Sequence, residues 1–183
     1  MEPAFPSETH PEKADVSIAV HAEQEGDAEA IFDLTKAAFL DAEHSSHTEQ
    51  FIVGALRRQG QLAVSLVAMD GGRIVGHVAI SPVTLSNAAL GWHGLGPISV
   101  HPEYQGRGIG STLARAALDR LRHLGTTGCV VLGDPAYYGR FGFRHHPGLV
   151  LPGVPQEYFQ ALLFGGDVPQ AEVRYHAAFD AMA

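Results

Sequence analysis

The chain has a single cysteine, few basic residues and no long apolar run, and each absence excludes a class of protein. The lone Cys129 rules out an intramolecular disulfide, and its place in Cys129-Val-Val-Leu132 favours a small core residue over a nucleophile. Twelve Lys and Arg against twenty Asp and Glu give a formal net charge of −8, which disfavours binding to nucleic acid or an acidic membrane. Because no segment resembles a membrane span or a signal peptide, we expect a cytoplasmic protein.

The length of 183 residues fits one domain with a substantial core. A composition rich in Pro, Glu and Ser predicts a flexible N-terminal tail over 1–14, followed by a single domain over 15–183. Apolar periodicity and capping residues predict the order β-α-α-β-β-β-α-β-α-β-β, which is mixed α/β. The strands are expected at 16–21, 62–69, 74–81, 98–100, 129–132, 149–154 and 171–176. The helical segments of this order are expected at 27–39, 46–58 (from the capping box Ser46-x-x-Glu49), 110–124 and 137–140. A further helix is expected near 156–164, between the last two strands.

A glycine-rich loop lies between the strand 98–100 and the helix that follows it. Gly106, Gly108 and Gly110 alternate in this loop, so that several backbone N–H groups can converge without a Cβ in the way. The helix N-terminus behind them adds roughly half a positive charge. The segment therefore predicts a site for an anion, best suited to a phosphate or pyrophosphate.

Two familiar phosphate motifs do not fit this loop. The P-loop ends in Gly-Lys-Ser/Thr, and the segment contains no Lys. The dinucleotide fingerprint places its first Gly at the end of the strand, whereas residues 101–105 intervene here and Ser111 stands where the third Gly belongs. In that interpretation Asp134, after the next strand, would be the ribose ligand. A nucleotide-dependent dehydrogenase is therefore disfavoured.

The segment Gln105-x-x-Gly108-x-Gly110 resembles the Q/R-x-x-G-x-G/A signature of the GNAT superfamily of N-acetyltransferases. A second segment, Asp134-Pro-Ala-Tyr-Tyr-Gly-Arg-Phe-Gly-Phe143, is similar to the family's Tyr-x-x-x-Gly-Phe signature and looks like that of the YhbS-like acetyltransferases. The resemblance runs from about residue 16 to the C-terminus. It departs at one position, because many members carry an Asn that contacts the pantetheine arm where this chain has Gly133-Asp134.

The resemblance implies the fold of the acyl-CoA N-acyltransferases: a mixed, mostly antiparallel sheet, splayed at its central strands, with helices on both faces. It implies acetyl-CoA as co-substrate. Pro97, with Gly94 and Gly96 shortly before it, fits a bulge where that splay would begin, since proline cannot donate to a ladder. The implied cofactor-binding residues are Ile98, Ser99, Val100, Gln105, Gly106, Arg107, Gly108, Ile109, Gly110 and Ser111.

Acetyl transfer to an amine needs a neutral amine, donors for the developing oxyanion and a proton for the departing thiolate. The resemblance and the spacing to Gly142 assign Tyr138 as the general acid. Tyr137 is the alternative, because adjacent helical residues point about 100° apart and only one of them can reach the sulfur. A backbone N–H of Ile98 or Val100 is the expected oxyanion donor.

The general base is left open by the sequence, and a chain of water molecules could also take the proton. The candidates are Glu43, His44, His47, His77, His101 and Glu103. Among the eleven histidines, His44-x-x-His47 and His145-His146 have a spacing that could ligate a metal. No Cys or carboxylate cluster completes such a site, so no metal is expected.

These observations predict an N-acetyltransferase that moves an acetyl group from acetyl-CoA to a primary amine by direct attack in a ternary complex. The alternative is a non-catalytic acyl-CoA sensor or interaction module on the same fold. The expected partner is a small-molecule or peptide amine, with no nucleic acid and no membrane; a homodimer stays open. The expected acceptor loops, at about 40–48 and 148–170, carry no specific motif.

Overall fold

The computed structural model describes residues 18–42 and 45–182. The predicted tail over 1–14 and the start of the predicted strand 16–21 lie outside the described residues. The helices are α1 (Ala28–Phe39), α2 (Glu49–Arg58), α3 (Ile109–His123) and the short α4 (Pro135–Tyr138). The strands are β1 (Ala19–Ala22), β2 (Val64–Asp70), β3 (Arg73–Pro82), β4 (Thr84–Leu85), β5 (Trp92–Val100), β6 (Gly128–Leu132), β7 (Leu149–Val150), β8 (Phe159–Leu163) and β9 (Ala171–Arg174). None of the helices in the described ranges has the length and apolar character needed to span a bilayer.

The large sheet has the strand order β1-β2-β3-β5-β6-β8, and a small sheet has the order β4-β9-β7. In the large sheet every neighbouring pair is antiparallel except β5 and β6, which are parallel. This confirms the predicted mixed, mostly antiparallel sheet. The hairpin between β2 and β3 is also confirmed, and Gly71 (φ +52°) and Gly72 (φ +87°) supply the two left-handed residues of its turn.

Alternation along the central strands decides which helices cover each face of the sheet. Leu66 and Val78 pack in the core cluster that contains the buried side of α3. Their neighbours Val67 and Ala79 pack instead with residues of α1 and α2. Because successive side chains of a strand point to opposite faces, α3 covers one face and the α1–α2 pair covers the other. Helices on both faces were predicted and are confirmed.

The central strands β5 and β6 separate partway along their length. Their parallel pairing covers only Trp92–Gly94 and Gly128–Val130. On its other edge, β5 stays paired with β3, but the register shifts between Leu95 and Ile98, so β5 carries an additional residue at Gly96-Pro97. The bulge and the splay expected around Pro97 are therefore both confirmed.

One of the predicted elements is wrong, and the start of another is displaced. No helix forms at 156–164; a single 3₁₀ turn (Gln156–Tyr158) leads into β8. Strand β8 pairs with the whole of β6 and satisfies the backbone groups of β6 that a helix at 156–164 would have left unpaired. Tertiary pairing therefore overrides the local helix propensity of this segment. Helix α2 begins at Glu49 after Thr48, later than the predicted cap Ser46, although the Ser46 N–H still donates to the Glu49 carboxylate (3.1 Å).

The contact between α3 and the sheet gives a stability prediction. Leu121 is fully buried against the sheet, whereas Leu124, one turn further on, is 61% exposed. Leu121→Ala should lower the free energy of unfolding by about 2–5 kcal/mol, because it removes buried methyl groups and leaves a cavity. Leu124→Ala is the matched control and should cost less than about 0.5 kcal/mol. Urea denaturation of both variants measures the difference, and equal losses would contradict the described packing.

Candidate active site

The loop between β5 and α3 is shaped by glycines and by one glutamine. After a 3₁₀ turn (Pro102–Tyr104), the Gln105 side-chain amide donates to the Val100 carbonyl (3.1 Å) and ties the loop to the end of β5. Gly106 (φ +73°) and Gly108 (φ +81°) then take left-handed conformations that other residues adopt only with strain. The chain turns sharply enough for α3 to begin at Ile109.

The backbone N–H groups of this loop are free to bind a ligand. From Gly106 to Ser111, none of them donates to an acceptor within the described residues. The first N–H committed to α3 is that of Thr112, which donates to the Gly108 carbonyl (3.0 Å). A helix N-terminus with consecutive free donors and a positive dipole end suits an anion such as a phosphate group.

A cleft of about 520 Å³ opens from this loop towards the gap between β5 and β6. Of the ten predicted cofactor-binding residues, eight line it and Ser99 and Arg107 do not. Tyr104, Tyr137 and Arg140 complete the lining. The full set is Ile98, Val100, Tyr104, Gln105, Gly106, Gly108, Ile109, Gly110, Ser111, Tyr137 and Arg140.

The two predicted residues that do not line the cleft have other contacts. Ser99 is buried, and its hydroxyl donates to Thr35 Oγ1 of α1 (3.3 Å), on the opposite face of the sheet. Arg107 lies over the ring of Tyr104, with 5.1 Å between the guanidinium carbon and the ring centroid. The cleft cation is Arg140, which lies over the Tyr137 ring at 4.6 Å. Arg140 is not among the predicted cofactor-binding residues, although it stands inside the Tyr-x-x-x-Gly-Phe segment.

The edge of β5 that faces the gap presents two backbone donors. The His101 N–H donates to the Val75 carbonyl of β3 (2.9 Å), so His101 and, by alternation, Ser99 direct their backbone groups towards β3. Ile98 and Val100 then direct theirs towards the gap. The Val100 carbonyl is taken by Gln105, which leaves the two N–H groups facing the inner end of the cleft.

The short helix α4 carries the two tyrosines. The Asp134 carboxylate caps it by accepting the Ala136 N–H (2.8 Å), so this residue is a helix cap. Tyr137 lines the cleft, and a Cβ at Gly110 would lie 2.9 Å from its hydroxyl, so the absence of a side chain at 110 makes room for it. Tyr138 is 9% exposed and faces a second cavity. Burial raises the pKa of Tyr138 above its ordinary value, and the phenol is therefore protonated at neutral pH.

The second cavity, called here the acceptor cavity, has a volume of about 720 Å³. It shares Ile98 with the cleft beside the glycine loop, called here the cofactor cleft. The two spaces therefore adjoin at the splayed strand β5. Tyr138 lines only this cavity, whereas Tyr137 lines only the cleft. The lining consists of Phe39, Ser46, Glu49, Ile52, Leu95, Gly96, Pro97, Ile98, Leu132, Tyr138, Leu151, Pro152, Val154, Tyr175, Phe179 and Asp180.

Most of the predicted general-base candidates lie elsewhere. Glu43 and His44 are outside the described residues. His77 is fully buried with its Nε2 2.9 Å from Ser65 Oγ, and desolvation lowers its pKa to about 4. The remaining three, His47, His101 and Glu103, line neither the cleft nor the acceptor cavity.

The carboxylates that line the acceptor cavity are Glu49 and Asp180. The sequence predicts Glu49 only as a capping residue and gives no role to Asp180, because nothing in the local sequence shows that both face one cavity. Cys129, interpreted as a core residue, is fully buried, and burial raises the pKa of its thiol. Within 18–42 and 45–182, no group of three His, Cys, Asp or Glu side chains is arranged to hold a metal ion.

Comparison with known proteins finds the same architecture in solved structures. A crystal structure of a GNAT family acetyltransferase from Brucella melitensis in complex with acetyl-CoA is 47% identical, with a TM-score of 0.80, over 89% of this chain and 98% of that one. The structure of YhbS from Escherichia coli in complex with CoA is 33% identical, with a TM-score of 0.82, over 95% and 98% of the two chains.

Sequence comparison alone gives the same family. The uncharacterized N-acetyltransferase YhbS of Escherichia coli K12 is 41% identical over 113 residues, which are 60% of this chain and 68% of the relative. The family model described as an acetyltransferase (GNAT) domain matches residues 19–146. That match takes in β5, the glycine loop and both tyrosines, and the chain therefore belongs to the GNAT family of acetyltransferases.

Proposed function

We propose that this protein transfers the acetyl group of acetyl-CoA to a primary amine by direct attack, with both substrates bound together. The observation that carries the proposal is the meeting of the cofactor cleft and the acceptor cavity at Ile98. One space offers anion-binding N–H groups and the other holds a protonated phenol. A thioester that extends from the cleft to Ile98 could be attacked there by an amine bound in the acceptor cavity.

The donor substrate is held mainly by backbone groups. The pyrophosphate of acetyl-CoA would accept hydrogen bonds from the free N–H groups between Gly106 and Ser111, with Arg140 as the neighbouring cation. The pantetheine amides would pair with the free edge of β5, in the position that β6 leaves where the two strands separate. Crystal structures of the Brucella and Escherichia coli relatives with acetyl-CoA and CoA support this assignment.

The reaction forms a C–N bond and breaks a C–S bond. An acceptor that binds as an ammonium ion first loses a proton to water, because only the neutral amine has a lone pair with which to attack. The neutral amine then attacks the thioester carbonyl carbon, and the N–H of Ile98 or Val100 would stabilise the charge that develops on the carbonyl oxygen. The thiolate leaves with the C–S electron pair and accepts the Tyr138 proton. The attacking nitrogen releases a proton to water, and the phenolate takes a proton back from water, which restores Tyr138 and completes the balance. Burial keeps Tyr138 in the protonated form that this role requires.

Gly108 tests the anion site. Gly108→Val should abolish the binding of acetyl-CoA, because it adds a branched side chain at a left-handed position in the cleft lining. Gly125→Val is the matched control, since Gly125 (φ +69°) follows the other end of α3. Each substitution should destabilise the fold by about 1–2 kcal/mol. Calorimetric titration with acetyl-CoA should show loss of binding only for Gly108→Val, and a common loss would refute the site.

The two arginines near the loop give a second test. Arg140 lines the cleft and Arg107 does not, so Arg140→Glu should weaken acetyl-CoA binding more than Arg107→Glu. The difference should be largest near 0.01 M salt, where the Debye length is about 30 Å, and should shrink at 1 M salt. Titrations at both salt concentrations measure it. A larger effect of Arg107→Glu would reverse the assignment of the cleft cation.

The general acid is tested by removing one oxygen atom. Tyr138→Phe should lower turnover by roughly 10²–10⁴-fold with little change in acetyl-CoA affinity, because only the proton donor is lost. Tyr137→Phe, on the same helix but facing the cleft, should be much milder. Thiol release during steady-state turnover measures both. Equal rates for wild type and Tyr138→Phe would remove Tyr138 from the mechanism. Intact acetyl-CoA binding without turnover of any amine would instead favour the sensor function.

A further inference from the structure

We infer that the acceptor is a primary amine on an apolar, ring-sized body without an anionic group, and that Glu49 recognises its ammonium form. The inference rests on the proposed function and specifies its second substrate. It depends on the chemistry of the acceptor cavity, whose volume of about 720 Å³ accommodates a ligand of this size.

Aromatic and aliphatic side chains dominate the walls of this cavity. The rings of Tyr175 and Phe179 pack together with 4.6 Å between centroids and an interplanar angle of 55°. Phe39 and Tyr138 add two further rings to the lining. Such walls gain free energy by covering an apolar ligand. Ring faces also attract a cation that lies over them.

The charged groups select against anions. Among the described residues that line the cavity, Glu49 and Asp180 are the charged side chains, and Lys, Arg and His are absent. A carboxylate or phosphate on the acceptor would enter without a counter-ion and would meet two like charges. Like-charge juxtaposition of this kind excludes a ligand more effectively than a missing contact does.

Glu49 is the better placed of the two carboxylates. It is half-buried, and the Ser45 hydroxyl lies 2.9 Å from both of its carboxylate oxygens while the Ser46 N–H donates at 3.1 Å. These hydrogen bonds hold the carboxylate at the start of α2, so little conformational entropy is lost when it binds a cation. Asp180 is exposed, and solvent and salt screen its charge.

The test is calorimetric titration of the CoA-saturated protein with three amines. Phenethylamine carries a ring and no anion, phenylalanine adds a carboxylate to the same body, and ethanolamine removes the ring. We expect phenethylamine to bind at least about tenfold more tightly than either of the others, a difference of about 1.4 kcal/mol. Comparable or tighter binding of phenylalanine or ethanolamine would overturn the inference.

Variants then test Glu49. Glu49→Gln should weaken phenethylamine binding by about tenfold, because the charge is lost while glutamine can still accept the Ser46 N–H. Glu157→Gln makes the same charge change at an exposed residue outside the cavity and should leave the affinity unchanged. Asp180→Asn should weaken binding by less than about threefold. An unchanged affinity for phenethylamine in Glu49→Gln, with CoA binding intact, would overturn the role of Glu49.

Turnover separates this inference from the proposed function. Acetylation of phenethylamine with a raised KM in Glu49→Gln supports both. Preferred acetylation of phenylalanine or ethanolamine would overturn the inference and leave the acetyltransferase standing. Selective binding of phenethylamine without acetylation of any amine would support the acceptor cavity and count against acetyl transfer.

Discussion

The separation of β5 from β6 beyond Gly94 is the constraint on which the rest of the structure depends. Three residues of each strand pair, and past that point β5 keeps only β3 as a neighbour. An open backbone edge inside a sheet is costly unless something else satisfies it. The bulge at Gly96-Pro97 bends β5 away, and Tyr175 packs against Gly94 where a Cβ would not fit. Strand β6 meanwhile gains a full antiparallel partner in β8.

The gap created in this way joins two spaces of opposite electrostatic character. On one side lie the free N–H groups of the glycine loop and Arg140. On the other side lie Glu49 and Asp180 among apolar walls. A chain with a net charge of −8 thus presents a local anion site together with a site suited to a cation. Under the proposed function, this arrangement would draw an anionic donor and a cationic acceptor to one point from different directions.

A helix of four residues divides the two tyrosines between these spaces. Successive helical side chains point about 100° apart, so Tyr137 and Tyr138 cannot face the same cavity. The helix is fixed at its start by the Asp134 cap and beyond its end by the buried ring of Phe143. Tyr138 also packs tightly over Gly133, a position at which a side chain would collide with its ring. The phenol is therefore held rigidly, as its proposed role of proton donor requires.

The sequence by itself determined the glycine loop, the hairpin at Asp70-Gly-Gly-Arg73, the bulge at Pro97 and the tyrosine pair. Each of these depends on backbone freedom or local spacing, which neighbouring residues fully specify. Only the tertiary structure decided that the segment 156–164 forms an edge strand, that Ser99 faces α1, and that Arg140 lines the cleft while Arg107 does not. It also brought Glu49 into the acceptor cavity with Asp180, 131 positions later in the chain. These features depend on which distant elements pack together, and local periodicity does not indicate which element packs against which.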